Sequence, residues 1–446
     1  PHGCLEQTTS AVFPQLYLGY ISNISSQKKT EIEKNIKAAI QKIGKQQLSS
    51  GGLQYWPNQT YADDWGTTYA GHFMLEAEKK GYVLPLQFKS KWMAYQQKMA
   101  RQWRFETQTQ SELAQAYRLY TLSLAGKPDL GAMNRLRETK GISNEAKLRL
   151  AVAYALAGQK TAGLQLMNTT SLVPQTYNQY EYYGSFERNL AMMLETFVAL
   201  ENKQKSFETS KKIAETLSNN EWMSTQTTAF CLNAMTKFAK QTGSAPIQLE
   251  WTHNNKTETS STNKNILNQT LVVKSGKNEL SVKNPTAQTL FVRLIKSGIL
   301  PVGNEKVTQG KLITSVKYLY KDETAADVSK IIQGTALVAE ITITNNSSYF
   351  VKDVALSHII PSGFEIINSR YTEFGESDKN AAQYTDIRDD RTLFYLNLKA
   401  QERKTFTVLL NASYLGSYYL PGLQAEAMYD NSYLARTKGQ WIEIVK

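Results

Sequence analysis

The chain is 446 residues long, 41% hydrophobic and 20% charged, with two cysteines, four histidines and a formal net charge of +12. That length exceeds what one core organises, so two or three domains are expected; no apolar run reaches the length of a bilayer span, and no signal peptide is read in these residues, so any targeting segment is expected upstream of them. The lysines are scattered beside Glu and Asp with no basic block, which argues against a nucleic-acid partner, and the histidines show neither HExxH nor paired Cys spacing, so no metal and no cofactor is expected.

The first ten residues, Pro1-His2-Gly3-Cys4-Leu5-Glu6-Gln7-Thr8-Thr9-Ser10, are the most informative stretch. Cys4 and Gln7 lie three positions apart, so in a tight turn or a first helical turn their side chains share a face. The Cys4 sulfur then reaches the Gln7 side-chain carbonyl, and attack with loss of ammonia leaves an internal thioester, a stored acyl donor. Gly3 suits the unusual backbone angles of such a turn. The pattern is short, and by itself it more often describes a buried thiol near an unrelated amide; a Cys4–Cys231 disulfide is a further alternative.

From about residue 8 to 242 the periodicity is helical. Helices are predicted over 8–21, with Pro14 a local irregularity, and over 32–48, with Ile32, Ile36, Ile40 and Ile43 on one side. Asp64 is expected to cap a helix through Trp65, Tyr69, Phe73 and Leu75 that stops at Gly81. Further helices are predicted over 86–105, 111–124, 131–139, 144–157, 161–167, 185–200, 207–217 and 224–240. About a dozen helices joined by short glycine turns imply antiparallel helical hairpins, closed into a ring or left as an open solenoid. Cys231, inside the last of them, is expected to act as a small buried hydrophobe.

After residue 243 alternation and β-branched residues take over. Strands are predicted over 247–251, 269–273, 280–282 and 289–294, then over 337–344, 354–360 and 392–398. Arg388, Asp389, Asp390 and Arg391 are expected to form a salt-bridged turn, not a site. A sandwich of about seven strands fits the terminal length.

Gly3-Cys4-Leu5-Glu6-Gln7-Thr8-Thr9-Ser10 resembles the thioester motif of the bacterial alpha-2-macroglobulin family, with Cys4 and Gln7 at the cross-linked positions. Gly51-Gly52-Leu53, Trp56-Pro57, the run from Asp64 to Ala70, Tyr183-Gly184-Ser185 and Trp222 with Ser224 to Ala229 resemble the same family's thioester domain, in the same order. The resemblance implies an (α/α)6 toroid over 1–244. It implies the second half of the small β-domain hosting the toroid over 245–310, and a macroglobulin-like antiparallel β-sandwich over 311–446. Pro361-Ser362-Gly363-Phe364 and Asp386 to Arg391 resemble that terminal domain. Gln424 to Tyr429 resembles its shielding segment, so Met428, with Tyr429 beside it, is the expected cover of the thioester. The family's other shielding residue, a tyrosine, would fall ahead of Pro1, and a start three residues before the key cysteine suggests a cut within a longer protein.

The resemblance further implies a protease trap: bait cleavage uncovers the thioester, which acylates a lysine of the captured protease. That is a single-use acylation, not enzymatic turnover. Its setting would be the periplasm or cell surface, with membrane attachment only through a lipid anchor outside this stretch. His2 is expected to be a packing substitution where the family carries an aromatic, and His72 scaffold. With no histidine over 103–109 to steer acyl transfer to hydroxyls, amines are the expected acceptors. Two rivals remain at this point. Helical toroids with β-sandwiches also occur in polysaccharide lyases and glycosidases, for which Asp63, Asp64 and Glu76 would supply carboxylates; a passive scaffold or adhesion module would leave Cys4 unreacted.

Overall fold

A computed structural model describes residues 3–105, 111–170, 183–219, 222–243, 246–287, 289–367 and 382–446. The chain divides into two compact units, Pro1–Arg293 and Leu294–Lys446. Among the described residues no helix is long and apolar enough to cross a membrane, and no cluster of His, Cys, Asp and Glu could hold a metal ion.

The helices of the first unit are α1 (Leu5–Val12), α2 (Leu18–Ile21), α3 (Ser26–Lys45), α4 (Asp64–Lys79), α5 (Phe88–Gln102) and α6 (Ser111–Leu124). They continue with α7 (Leu130–Glu138), α8 (Asn144–Leu156), α9 (Lys160–Asn168), α10 (Phe186–Ala199), α11 (Lys203–Ser218) and α12 (Thr225–Thr242). The helix predicted over 8–21 is broken where Pro14 lacks an N–H, and a 3₁₀ turn at Pro14–Leu16 separates α1 from α2. Starts are set by capping side chains. Ser25, Asp63, Asp129, Ser143, Ser185, Asn202 and Ser224 each accept the backbone N–H three residues on.

The helices fall into two kinds. α3 buries one stripe, Ile32, Ile36, Ala39, Ile40 and Ile43, whereas α4, α6, α8 and α10 are buried almost all round. α1 packs on α4, α4 on α6, α6 on α8, α8 on α10, α10 on α12, and α12 returns to α1. α3, α5, α7, α9 and α11 pack outside that closed succession. Close approach is written into the sequence at Gly66 of α4, where a Cβ would stand 2.9 Å from Leu5 Cδ2 of α1.

A three-stranded antiparallel sheet, ordered β2-β1-β3, follows: β1 (Ile247–His253), β2 (Lys256–Thr262) and β3 (Leu280–Lys283). β2 carries no apolar residue and escaped the alternation test. It forms because Asn254 and Asn255 both take positive φ and close a two-residue hairpin. The strands predicted over 269–273 and 289–294 are corrected: neither segment is a strand. Alternation marks two faces but supplies no neighbour to take the backbone hydrogen bonds; Val272 and Phe291 stand 80% and 97% exposed.

In the second unit the strands are β4 (Leu312–Leu319), β5 (Lys330–Ile332), β6 (Ala336–Asn345), β7 (Val351–Ile359), β8 (Phe364–Ile367) and β9 (Tyr384–Ile387). The remainder are β10 (Arg391–Leu398), β11 (Arg403–Ala412), β12 (Gly416–Leu420), β13 (Gln424–Ala427), β14 (Asp430–Arg436) and β15 (Gln440–Val445). A five-stranded sheet, β14-β13-β7-β10-β9, and a four-stranded sheet, β4-β6-β11-β8, share one apolar core. Leu337, Ala339, Ile341 and Ile343 alternate inward from β6. Phe394 of one sheet stacks on Phe406 of the other at 4.2 Å, as facing sandwich layers require. Among the described residues the two sheets hold nine strands, against about seven expected, and a third sheet, β12-β15-β5, adds three.

Candidate functional site

Cys4 is the N-cap of α1, with extended φ/ψ of −63° and 170°, and its Sγ accepts the Gln7 N–H at 3.3 Å. Cys4 is fully buried and Gln7 is 3% exposed. The two side chains are brought to the same first turn, the relation their spacing predicts. The Gly3 N–H donates to Gln7 Oε1 at 3.3 Å, with Gly3 at φ +88°. Lys42 Nζ, from α3, donates to the Gly3 carbonyl at 2.8 Å, and Thr8 Oγ1 reaches the same oxygen at 3.4 Å. A sulfur and a carboxamide thus share a dry turn in which each has a backbone N–H directed at it. An N–H on sulfur favours negative charge there, and one on the amide oxygen favours attack at the carbonyl carbon.

Between them, Glu6 is fully buried and accepts hydrogen bonds from Ser10 and, at 3.2 Å to each oxygen, from Thr225 at the start of α12. Ser10 Oγ also meets Tyr69 OH of α4 at 3.0 Å. Leu5 N–H donates to Tyr55 O at 3.0 Å, and that carbonyl also accepts from Gln46 Nε2 at 3.3 Å. α1 is thereby tied to α4, α12 and the 46–55 turn on three sides. Glu6, Ser10, Tyr69, Thr225 and Lys42 were not singled out from the sequence. Glu6 sits inside the motif, but nothing local announces partners more than fifty residues away.

The cap of α4 is Asp63 and not the expected Asp64, which is already the first helical residue; Asp63 Oδ1 accepts Gly66 N–H at 2.6 Å, and burial pushes its carboxyl up to about 6. Asp64 pairs with the buried Arg118, whose Nε donates to Gln96 Oε1 at 3.0 Å. Glu76, near the far end of α4, accepts from Tyr17 OH at 2.7 Å. It lies about 20 Å along the helix axis from Asp63 at the helical rise, too far for a glycosidase pair, which needs about 5–9.5 Å. These carboxylates serve as a cap, an ion pair and a hydrogen-bond acceptor.

The structure does assemble a His/Tyr/Arg group that spacing did not reveal. His72 Nδ1 lies 2.9 Å from Tyr117 OH, its Nε2 lies 3.4 Å from Tyr120 OH, and Arg149 stacks over Tyr120 at 4.7 Å. His72 is 1% exposed, and burial drives its imidazole down to about 3, so it is neutral. A cavity of about 420 Å³ touches Tyr120, Arg149, Glu195 and Lys237 but not His72. His72 and Tyr117 are packed in the interior, while Tyr120 and Arg149 also form part of the cavity wall.

Cys231, on α12, is a buried thiol that donates to Glu187 O at 3.7 Å; burial pushes it up to about 12. Cys4 and Cys231 are not joined as a disulfide. His2 and residues 106–109 lie outside the described residues. In the β unit, Met428 and Tyr429 are the two residues of the turn joining β13 to β14, and Met428 N–H donates to Asp353 O at 2.9 Å. Met428 is 6% exposed. Arg388 pairs with Asp386 at 2.7 Å and Arg391 with Asp390 at 2.5 Å, both pairs at the surface of the turn into β10.

A family model described as the bacterial alpha-2-macroglobulin MG10 domain matches residues 311–431. The alpha-2-macroglobulin of Escherichia coli strain K12 is 22% identical over 489 residues, spanning 100% of this chain and 28% of the relative. That of Pasteurella multocida strain Pm70 is 24% identical over 465 residues, spanning 96% and 24%. The chain therefore covers about a quarter of the length of these curated relatives. Native Escherichia coli alpha-2-macroglobulin, solved from domain MG7 to the C-terminus, shares the fold with a TM-score of 0.79 at 19% identity, over 100% of this chain and 74% of that one. Salmonella alpha-2-macroglobulin reacted with methylamine gives 0.80 at 21% identity, over 100% and 30%.

Proposed function

We propose that this chain, a member of the bacterial alpha-2-macroglobulin family, stores an acylating thioester between Cys4 and Gln7 and uses it once, on an amine of a trapped protease. The observation that carries the reading is the buried first turn of α1, where sulfur and carboxamide each receive a backbone N–H at 3.3 Å. Condensation forms the S–C bond, breaks the C–N bond of the Gln7 amide and releases ammonia. A lysine amine attacking the same carbonyl then forms an isopeptide bond and frees the Cys4 thiol. The Salmonella relative was solved after reaction with methylamine, a small amine of the class this chemistry takes. In this reading the closed succession of helices is the family's (α/α)6 toroid, and the second unit its macroglobulin-like sandwich.

A thioester persists only where water is excluded. Burial of Cys4 and Gln7 supplies part of that, and we assign the remaining cover to Met428 and Tyr429 on the family resemblance. The implied sequence of events is bait cleavage, uncovering and capture of a protease lysine, in the periplasm or at the cell surface on a lipid-anchored whole protein. Intact-mass and peptide mapping of freshly purified protein test the core of this. The expected result is a deficit of one ammonia, converted by methylamine into an adduct on Gln7, or else Gln7 hydrolysed to glutamate; both are lost in Cys4→Ser. An unaltered Gln7 amide beside a titratable Cys4 thiol would refute it.

A further inference from the structure

Resting on that reading, we propose that the Gly3 N–H is the oxyanion donor for the Gln7 carbonyl, and that Lys42 is the residue that positions it. Making the thioester and breaking it pass through the same kind of intermediate. A nucleophile, sulfur in one direction and an amine nitrogen in the other, adds to Gln7 Cδ, and the carbonyl electron pair moves onto Oε1. On collapse the pair returns, expelling ammonia during formation or the Cys4 thiolate during capture. In the first case the thiol proton leaves with the nitrogen; in the second the amine gives up its proton and the sulfur is freed. The two atoms that carry charge are therefore Oε1 and Sγ.

Each meets a donor. Gln7 N–H addresses Sγ and Gly3 N–H addresses Oε1, both at 3.3 Å. That distance is long for a neutral carbonyl and shortens as the oxygen becomes an anion. The donor's aim depends on the Gly3 backbone, held at φ +88°, where a side-chain-bearing residue is strained. A freely rotating Gly3 would swing its N–H away from Gln7. What resists that rotation is the Gly3 carbonyl, which takes Lys42 Nζ at 2.8 Å and Thr8 Oγ1 at 3.4 Å. Lys42 comes from α3, an exposed position whose ammonium reaches into the turn. A Cβ added at Gly3 would stand 2.9 Å from that ammonium, so a larger residue disturbs φ and the anchor together. Through its bond to the Gly3 carbonyl, Lys42 acts on the donor.

The experiment compares the whole chain with Lys42→Met, Lys42→Arg, Gly3→Ala and the Gly3→Ala/Lys42→Met double variant. Methylamine incorporation at Gln7 is timed by intact mass, and thermal unfolding of the helical unit is recorded alongside. Losing the aim of one oxyanion donor is expected to slow incorporation about tenfold or more in Lys42→Met, with unchanged unfolding. Lys42→Arg, which still donates to the carbonyl, restores most of the rate. The double variant is no slower than Gly3→Ala alone, because both changes act on one donor. A Lys42→Met chain that retains its Gln7 amide and never forms the thioester also supports the proposal, since formation uses the same oxyanion. Wild-type rate in Lys42→Met, an equally slow Lys42→Arg, or additive losses in the double variant overturn it while leaving the thioester reading intact. A wild-type chain that keeps an unaltered Gln7 amide beside a titratable Cys4 thiol overturns both.

Discussion

Glu195 of α10 is the residue on which the interior of the helical unit is most exposed to test. It accepts from Arg149 Nη2 of α8 and Lys237 Nζ of α12, each at 2.8 Å. Burial alone would raise its carboxyl; Lys237 and Arg149 outweigh burial and hold it at about 2, against an ordinary 4.5. At about 1.36 kcal/mol per pH unit that difference is worth about 3 kcal/mol at neutral pH. The figure falls within the roughly 3–5 kcal/mol expected for breaking a buried pair, which fits a carboxylate only 5% exposed. Glu195→Gln keeps the shape and removes the charge, leaving Arg149, whose Nε and Nη1 already lack hydrogen-bond partners, with little beyond its stack on Tyr120. The far-UV helical melt should drop by about 6–12 °C for a unit of this size. The sign with pH is fixed. A depressed carboxyl stabilises the fold above its unfolded value and loses that contribution as pH falls from 4.5 towards 2. At pH 3 about 2 kcal/mol of the difference should be gone, so wild type and variant converge. A gap below about 1 kcal/mol at neutral pH, or one that does not narrow in acid, would refute the reasoning.

Two further outcomes follow from packing and thiol chemistry. A methyl at Gly71 would stand 2.2 Å from the Trp92 indole, whose Nε1 donates to Thr67 O at 2.9 Å, so Gly71→Ala should cost about 1–3 kcal/mol by overpacking in the same melt. Trp92→Leu, which makes room, should recover part of that loss in the double variant. Native chain with the thioester intact should show almost no reactive thiol, because Cys231 is held up to about 12 by burial; methylamine should release one thiol, lost in Cys4→Ser and kept in Cys231→Ala. Two reactive thiols before methylamine would contradict the assignment.

The sequence speaks most clearly where a rule connects neighbours. The i,i+3 spacing of Cys4 and Gln7 and the stripe Ile32-Ile36-Ile40-Ile43 each state a relation within one turn or one helix, and the structure puts the first pair in one turn and buries the second on one face, while the cap of α4 falls one residue before the expected Asp64. It misleads where a pattern describes one partner of a pair. Residues 269–273 and 289–294 alternate as strands do, yet alternation specifies faces and not a neighbouring edge, and without an edge the segments stay outside any sheet and largely exposed. The polar β2 makes the converse point: it lacks any apolar signal, and its hairpin follows from Asn254-Asn255 and the backbone of β1. The site divides along the same line. The atoms proposed to react lie three positions apart in one turn, so they were legible, whereas Lys42, Tyr69 and Thr225 arrive from α3, α4 and α12, and Glu6 meets Ser10 and Thr225 only once the chain is folded. What a chain reacts with can thus be written in ten residues, while what aims the reaction is written in helices whose adjacency no local period encodes. Variants of Lys42, Glu6 and Thr225 are for that reason the sharper probes of this site, since Cys4 and Gln7 variants report only whether the reacting atoms are present.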